Sequence, residues 1–408
     1  MNVSILSHGF VGWGGGVDFV RFVASAIACI SADEMPSKRI IIPSNDARLK
    51  IIRLAYHPLK TALKQIESGE RPTWEIRASQ PKEFYKTAFA DLATQFEIVH
   101  SGSSYHAQLS KAVKAGSDIV LPCIVPPKKN FPLAWIGYLP DFQHLHLPHF
   151  FSEQEIMERN KNFRHMLDTA SHIIVNANAV KNDIMQFHAD HKAEIHVLPF
   201  SPCPQAAWLN DDLDVRAQYE INKPYFIICN QFWKHKEHAT AFKAFAEYLQ
   251  QGGEALLVCT GATDDYRFPK YFPELQHLIQ QLNLASHIRI LGHIPKTEQI
   301  SLVKHALAVV QPTLCEGGPG GGASYDAIAL GVPLIASDIS VNFEISCGDV
   351  TFFKAGDAIS LTQKLHDRGL IAIERPSNDF LMNAGKERQR QCGEFILKVM
   401  EKACLKSN

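Results

Sequence analysis

Short apolar runs, bounded by polar residues or glycine, recur along the chain. Between them lie stretches whose apolar positions fall three and four apart. NVSILS at the start predicts a strand, Gly12–Gly16 (GWGGG) a loop, and DFVRFVASAIACI an amphipathic helix. Arg39–Pro43, Asp118–Pro122, Ala134–Pro140, Ala170–Asn178 and Ala193–Pro199 read as further strands, with a helix over Ala179–His188. Residues 45–95 are charged and partly helical in pattern. Strand, glycine loop and helix in that order open a doubly wound α/β domain.

A seam rich in proline and charge runs over Phe200–Asn222, as an interdomain linker would. A new alternation begins beyond it. Strands are predicted at Pro224–Asn230, Glu254–Gly261, His287–Gly292, Leu307–Thr313, Val332–Asp338 and Asp349–Lys354. Helices fall at HATAFKAFAEYLQQ, PELQHLIQQLNL, TEQISLVKHA and ASYDAIAL, and the tail after about Pro376 is helical and charged. Such alternation implies mostly parallel sheets with ligand sites at the strands' carboxyl ends. We expect an N-terminal Rossmann-like domain over residues 1–205 and a C-terminal one over 206–380. Residues 381–408 are expected to form a helix that packs back on the first.

A length of 408 residues favours two domains over one. The formal net charge of -1 gives no global field that would draw the chain to nucleic acid. The nine cysteines form no CxxC pair and several sit in apolar runs, so buried reduced thiols are expected, as in a cytoplasmic protein. No signal peptide is evident, and no apolar stretch reaches the roughly 18–20 residues that span a bilayer. Any membrane association is therefore expected to be peripheral, at the inner face.

The densest chemistry lies in EGGPGGGASYD, Glu316–Asp326, between a strand and a helix. Gly317, Gly318, Gly320, Gly321 and Gly322 lack Cβ atoms, so their backbone amides can approach a ligand closely. The following helix adds free N–H groups and a partial positive charge, which suits a diphosphate. Glu316 at the strand end can accept hydrogen bonds from sugar hydroxyls, and Asp326 in the helix suits a ribose diol. A tight structural turn is the plain alternative. The loop is neither a Walker loop nor a GxGxxG fingerprint.

The segment EGGPGGGASYDAIALGVPLIASD resembles the donor-binding signature of the retaining family 4 glycosyltransferases. The resemblance implies the GT-B fold of two Rossmann-like domains facing across a cleft. It departs from the family's paired glutamates, because the residue eight after Glu316 is Ser324. Asp326 takes the second acid's place when counted back from Gly331-Val332-Pro333. NQFWKHKEH (Asn230–His238) matches the element that contacts the donor diphosphate. Asn230-Gln231 replaces the usual arginine region, Lys236 matches the family lysine, and Lys234 is nearby. GYLPDFQHLHLPHFF resembles a segment of a bacterial subgroup that transfers mannosyl, rhamnosyl or similar residues in surface-polysaccharide assembly. There Asp141, Gln143 and His144 would line the cleft, with His144 against the donor sugar or the acceptor. Gly14, Gly15 and Gly16 match the first glycine loop, under the donor phosphates, with a plain strand-to-helix turn as the other reading. Gly261 ends a strand where the family begins a loop near the donor, and Leu291–Ile294 resembles the element that reads the base.

The implied activity is transfer of a hexosyl-type residue from a nucleotide-diphosphate sugar to an acceptor hydroxyl, with retention. Lys236, Glu316 and His144 would form the reacting site. The family needs no metal or other cofactor; His144, His146 and His149 also lack helical zinc spacing. A glycan or lipid-linked saccharide would be the acceptor. Arg53, Lys60, Trp74, Lys82, Phe84 and Tyr85 would meet it, or else form a solvated helix face. A degenerate sugar-nucleotide-binding partner or sensor is the main alternative, kept open by Asp326 and by the missing arginine. A phosphorylase, an epimerase and an NAD-dependent oxidoreductase are weaker readings. The base, the sugar and the acceptor are not legible in the residues.

Overall fold

The computed structural model describes residues 1–10, 14–43, 88–102, 104–209, 213–370 and 374–405. Arg53, Lys60, Trp74, Lys82, Phe84 and Tyr85, the expected acceptor-side residues, lie outside the described residues, as does Gly12.

In chain order the strands and helices are β1 (Asn2–Leu6), α1 (Gly14–Ala28), β2 (Ser37–Pro43), β3 (Glu97–Ser101), α2 (Tyr105–Lys114), β4 (Ile119–Cys123) and β5 (Ala134–Tyr138). Then come α3 (Gln143–His146), α4 (Glu153–Thr169), β6 (His172–Val175), α5 (Asn178–Phe187) and β7 (Glu194–Val197). The second series is β8 (Tyr225–Cys229), α6 (His238–Gln250), β9 (Leu256–Thr260), α7 (Tyr271–Gln281), β10 (Ile288–Gly292), α8 (Lys296–His305) and β11 (Ala308–Gln311). It ends with α9 (Gly321–Ala329), β12 (Leu334–Ser337), β13 (Val350–Phe353), α10 (Ala358–Gly369) and α11 (Asn378–Leu405).

Two sheets result. One has seven strands in the order β3-β2-β1-β4-β5-β6-β7, the other six in the order β10-β9-β8-β11-β12-β13. The strands pair in parallel, among them β1 with β2 and β4, and β8 with β9 and β11. In each sheet the strand order reverses beside the first strand of its series, which makes a switch point at the carboxyl ends of β8 and β11.

The chain divides into two compact units. The first is Met1–Tyr138 with Ala170–His172 and Ile396–Asn408, and the second is Leu139–Thr169 with Ile173–Phe395. In the first, Leu6, Ile41, Val99 and Val120 from four strands pack with Leu109 and Ala112 of α2. In the second, side chains alternate along β8. Phe226 and Ile228 join Phe242 and Phe245 of α6 and Leu361 of α10. Tyr225 and Ile227 join Ile300 and Val303 of α8 and Ala327 of α9. A sheet covered on both faces explains why β8 reads as an unbroken apolar run.

No helix among the described residues is long and apolar enough to cross a membrane. The nine cysteines form no disulfide.

Candidate active site

The ends of β8 and β11 carry a buried polar chain. Asn230 follows β8, and its Nδ2 donates to Oε1 of Gln311, the last residue of β11. Gln311 Nε2 donates to Glu316 Oε1 at 3.1 Å and to the Gly320 carbonyl at 2.7 Å. Glu316 also accepts from Lys236 Nζ, forming an ion pair whose side chains are 10% and 16% exposed respectively. Four residues from the ends of β8 and β11 and the loops that follow them thus form one chain that ends on Glu316 Oε1. Sequence reasoning missed Gln311, although a polar residue closing the apolar run AVVQ was the available signal.

Lys236 is presented by a tight turn, Lys234–Lys236, which ends at Glu237 with φ 54°. The turn is held from below by Leu314, whose N–H donates to the His235 carbonyl at 2.8 Å. His235 itself is buried, and its pKa falls well below the usual imidazole range, first through burial and then through the charges of Lys236 and Arg267. Cys315, beside Glu316, has its thiol pKa raised by burial.

The glycine loop runs from Glu316 into α9. Gly320 has φ +65°, and a Cβ there would meet Ser324 Oγ at 1.8 Å. Ser324 Oγ donates to the Gly320 carbonyl at 2.8 Å, so the residue standing at the family's second acid position ties down the loop. Two loop amides have protein partners. Gly320 N donates to Asn342 Oδ1 at 2.9 Å, and Gly321 N to the Gly318 carbonyl at 3.1 Å. The first turn of α9, with Gly321 and Gly322, has no side-chain cap. Gly321 backs directly onto Glu316, whose carboxylate would lie 3.0 Å from an added Cβ. Gly317 and Gly318 approach other chain segments: a Cβ would lie 2.1 Å from the Pro140 carbonyl oxygen and 3.0 Å from Asn176 Cβ. Close chain packing is therefore one demonstrable reason for these two glycines. Gly261 crosses the backbone of Asn230 in the same way, with a Cβ 2.1 Å from its carbonyl oxygen.

Asp326 lies in α9 and is nearly buried. Its Oδ2 accepts from Lys296 Nζ at 2.6 Å, at the first residue of α8. Lys296 also lies 5.7 Å from the ring centre of Trp208. Lys296 was not singled out in the sequence, where GHIPK gave no sign of a partner thirty residues on.

His144 was expected to line a cleft, yet its ring has no exposed surface. Phe142 stacks on it, and Phe151 and Phe163 meet it edge-on. Nε2 is hydrogen-bonded to Asn160 Oδ1 at 2.9 Å, and Nδ1 is buried without a hydrogen-bond partner. Its pKa is lowered, chiefly by burial. His146 pairs with Asp183 at 2.8 Å. Asp141 accepts from Arg159 Nη2 at 2.7 Å and from Gln143 N at 3.1 Å. Gly14, Gly15 and Gly16 form the first turn of α1.

The 340–344 turn reaches both the loop and α5. Glu344 accepts from the backbone amides of Asn178 at 2.6 Å and Ala179 at 2.7 Å, capping α5. Beside this cap lies a groove of about 480 Å³, lined in part by Asn176, Phe200, Pro319 and Phe343.

Residues 211–367 match the family described as glycosyl transferases group 1. No curated protein matches the chain in sequence. Among solved structures it resembles sucrose-phosphate synthase (tll1590) from Thermosynechococcus elongatus, with a TM-score of 0.59 at 15% identity, covering 100% of this chain and 97% of that one. It also resembles Anabaena Alr3699/HepE, solved in complex with UDP-glucose, with a TM-score of 0.58 at 14% identity over 100% and 99% of the two chains. WaaG, a glycosyltransferase involved in lipopolysaccharide biosynthesis, gives 0.54 at 14% identity over 98% of both. The fold is that of the GT-B glycosyltransferases, with two parallel-sheet Rossmann-like domains. The family match and this fold together support a glycosyltransferase.

Proposed function

We propose that the protein is a retaining glycosyltransferase that moves a hexosyl-type residue, mannosyl, rhamnosyl or similar, from a nucleotide-diphosphate sugar to an acceptor hydroxyl. Glycan or surface-polysaccharide assembly is the setting this reading favours, with a glycan or lipid-linked saccharide as acceptor. The observation that carries it is the Lys236–Glu316 pair at the switch point between β8 and β11, directly against the glycine loop.

In this reading Lys236 turns to the donor diphosphate when the donor enters, and Glu316 is freed to accept from the sugar hydroxyls. The uncapped amides opening α9 face the phosphates, and Asp326 takes the ribose. The leaving diphosphate takes the acceptor's proton, so the protein supplies positioning and charge stabilisation rather than a nucleophile. His144, sealed among aromatic rings, acts through the Asp141 turn as a positioning residue. The UDP-glucose bound by the Anabaena protein makes a uridine donor a reasonable first substrate to try.

A second reading, a sugar-nucleotide binder without turnover, is favoured by one specific feature. Asn230, where the resembling family has an arginine, is uncharged and hydrogen-bonded to Gln311. A panel of nucleotide-diphosphate sugars, followed by release of nucleoside diphosphate and by the anomeric configuration of the product, tests the proposal. Turnover with retention supports it. Binding without turnover across acceptors favours the second reading, and inversion rules out the retaining mechanism.

A further inference from the structure

The two acids assigned to the donor are each matched by a lysine: Glu316 by Lys236, and Asp326 by Lys296. Each pair is close to neutral. A nucleotide-sugar donor, by contrast, bears negative charge on both phosphates and gains more as the glycosyl bond breaks. Asn230 adds no charge. The site as described therefore gains from a further cation outside these two matched pairs.

Such a cation stands beside the Lys234–Lys236 turn. Arg267, in the loop after β9, has a side chain only 6% exposed. Its guanidinium carbon lies 4.5 Å from the ring centre of Phe151, 5.1 Å from that of Trp233 and 5.6 Å from that of Tyr266. The Nε is buried and has no hydrogen-bond partner. Asp265 forms a long ion pair with it, 4.0 Å from Nε, and leaves the rest of the guanidinium fork without a carboxylate partner among the described residues. Its carboxylate is occupied by the N–H of Lys234 at 2.9 Å and the N–H of Arg267 at 3.0 Å. Asp265 thus ties the loop carrying Arg267 to the turn carrying Lys236. Lys234 projects over the same aromatic tier, with Nζ 4.6 Å from the Phe268 ring centre.

Aromatic faces fix a guanidinium's plane without consuming its N–H donors. A buried donor with no acceptor is costly, and a fixed planar fork suits an oxyanion. We propose that Arg267, with Lys234 beside it, is the second cationic contact for the diphosphate of the nucleotide-sugar donor. The inference rests on the donor-site reading above. It assigns to the loop after β9 a task that the strand end at position 230 does not perform.

Calorimetric titration of the full chain tests this, using UDP, GDP and dTDP, each beside its monophosphate. For the diphosphate bound most tightly, Arg267→Met should weaken binding about tenfold or more. The monophosphate should be much less affected, and the dependence of affinity on salt should become shallower. Lys234→Met should act in the same direction with a smaller loss, and it keeps the test alive if Arg267→Met fails to fold. Arg267→Lys should fall between wild type and Arg267→Met, since it keeps the charge without the fork. Equal diphosphate affinity in wild type and Arg267→Met overturns the inference alone. So does an equal loss for mono- and diphosphate, which marks Arg267 as a packing residue. A wild-type chain that binds none of the nucleotides overturns the donor reading itself, and this inference with it.

Discussion

Lys236 and Glu316, 80 residues apart in sequence, form an ion pair that is nearly buried at the switch point of the six-stranded sheet. Removing one member of such a pair leaves the other's charge behind. In Lys236→Ala, Glu316 keeps only the hydrogen bond from Gln311 and opposes an incoming diphosphate. Turnover should therefore fall about a hundredfold or more in Lys236→Ala and in Glu316→Ala, with the fold retained at a lowered thermal midpoint. The double variant Lys236→Ala/Glu316→Gln removes the opposing charge. It should bind nucleoside diphosphate more tightly than Lys236→Ala and less tightly than wild type. Titration in that order is the expected result, and wild-type turnover in both single variants would sink the assignment.

The glycine loop makes a separate prediction about stability. Gly320 sits at φ +65°, with the Ser324 hydroxyl where a Cβ would go. Gly320→Ala should cost about 1–2 kcal/mol for the left-handed conformation, plus the clash. Ser324→Ala should cost about 1 kcal/mol for the lost hydrogen bond. Combining them removes the 1.8 Å contact but leaves the Cβ of residue 324 at 2.4 Å, so the clash is eased only in part and the double variant should be slightly more stable than the sum of the two losses predicts. Urea midpoints of the four proteins measure this coupling.

Much of the architecture was legible because both sheets are apolar on two faces. The run YFIIC reads as a strand whichever way its residues point, and β9, β11 and β12 are as short and almost as apolar. What the pattern did not reveal had weaker burial. Helix α4 buries only Met166 and Leu167 over Glu153–Thr169, so its periodicity is faint. Strand β3, EIVHS, and helices α2 and α10 were missed as well. At the site, Lys236, Glu316 and Asp326 stood out by type and spacing. Gln311, Lys296, Asn342 and Arg267 did not, because their partners lie far along the chain. His144 is the opposite case: a polar residue in a promising segment that folding buries among phenylalanines.

Asp326 carries the next prediction. Its carboxylate, 9% exposed, accepts from Lys296, whose side chain is 36% exposed and open to solvent. If Asp326 also holds the ribose, its removal should act on the sugar of the nucleotide rather than on its phosphates. Asp326→Asn should lower the preference of the protein for a ribonucleoside diphosphate over its 2′,3′-dideoxy analogue. The affinity for the dideoxy analogue should hardly move. Calorimetry with both nucleotides reads the difference directly, and an unchanged preference would assign the ribose to another residue.

The response to acid is set in part by a buried histidine that takes no part in the proposed reaction. His238 opens α6 fully buried, stacks on Phe232 with ring centres 4.1 Å apart, and has neither ring nitrogen hydrogen-bonded. Burial, aided by the charge of Lys236, lowers its pKa from 6.5 to about 3. The unfolded chain therefore binds a proton at this residue that the folded chain refuses throughout the range between those two values. The stability from keeping His238 neutral is complete above pH 6.5 and is lost progressively as pH falls toward 3. At about pH 5 the loss from this one group should be roughly 2 kcal/mol relative to neutral pH. Its neighbour His235, also lowered, adds a loss of the same sign. Replacing His238 with phenylalanine keeps a ring against Phe232 and removes the titrating group. His238→Phe should match wild type near pH 7.5 and exceed it at pH 5. Denaturant midpoints at the two pH values decide the matter: parallel losses in both proteins would mean that the acid sensitivity arises elsewhere.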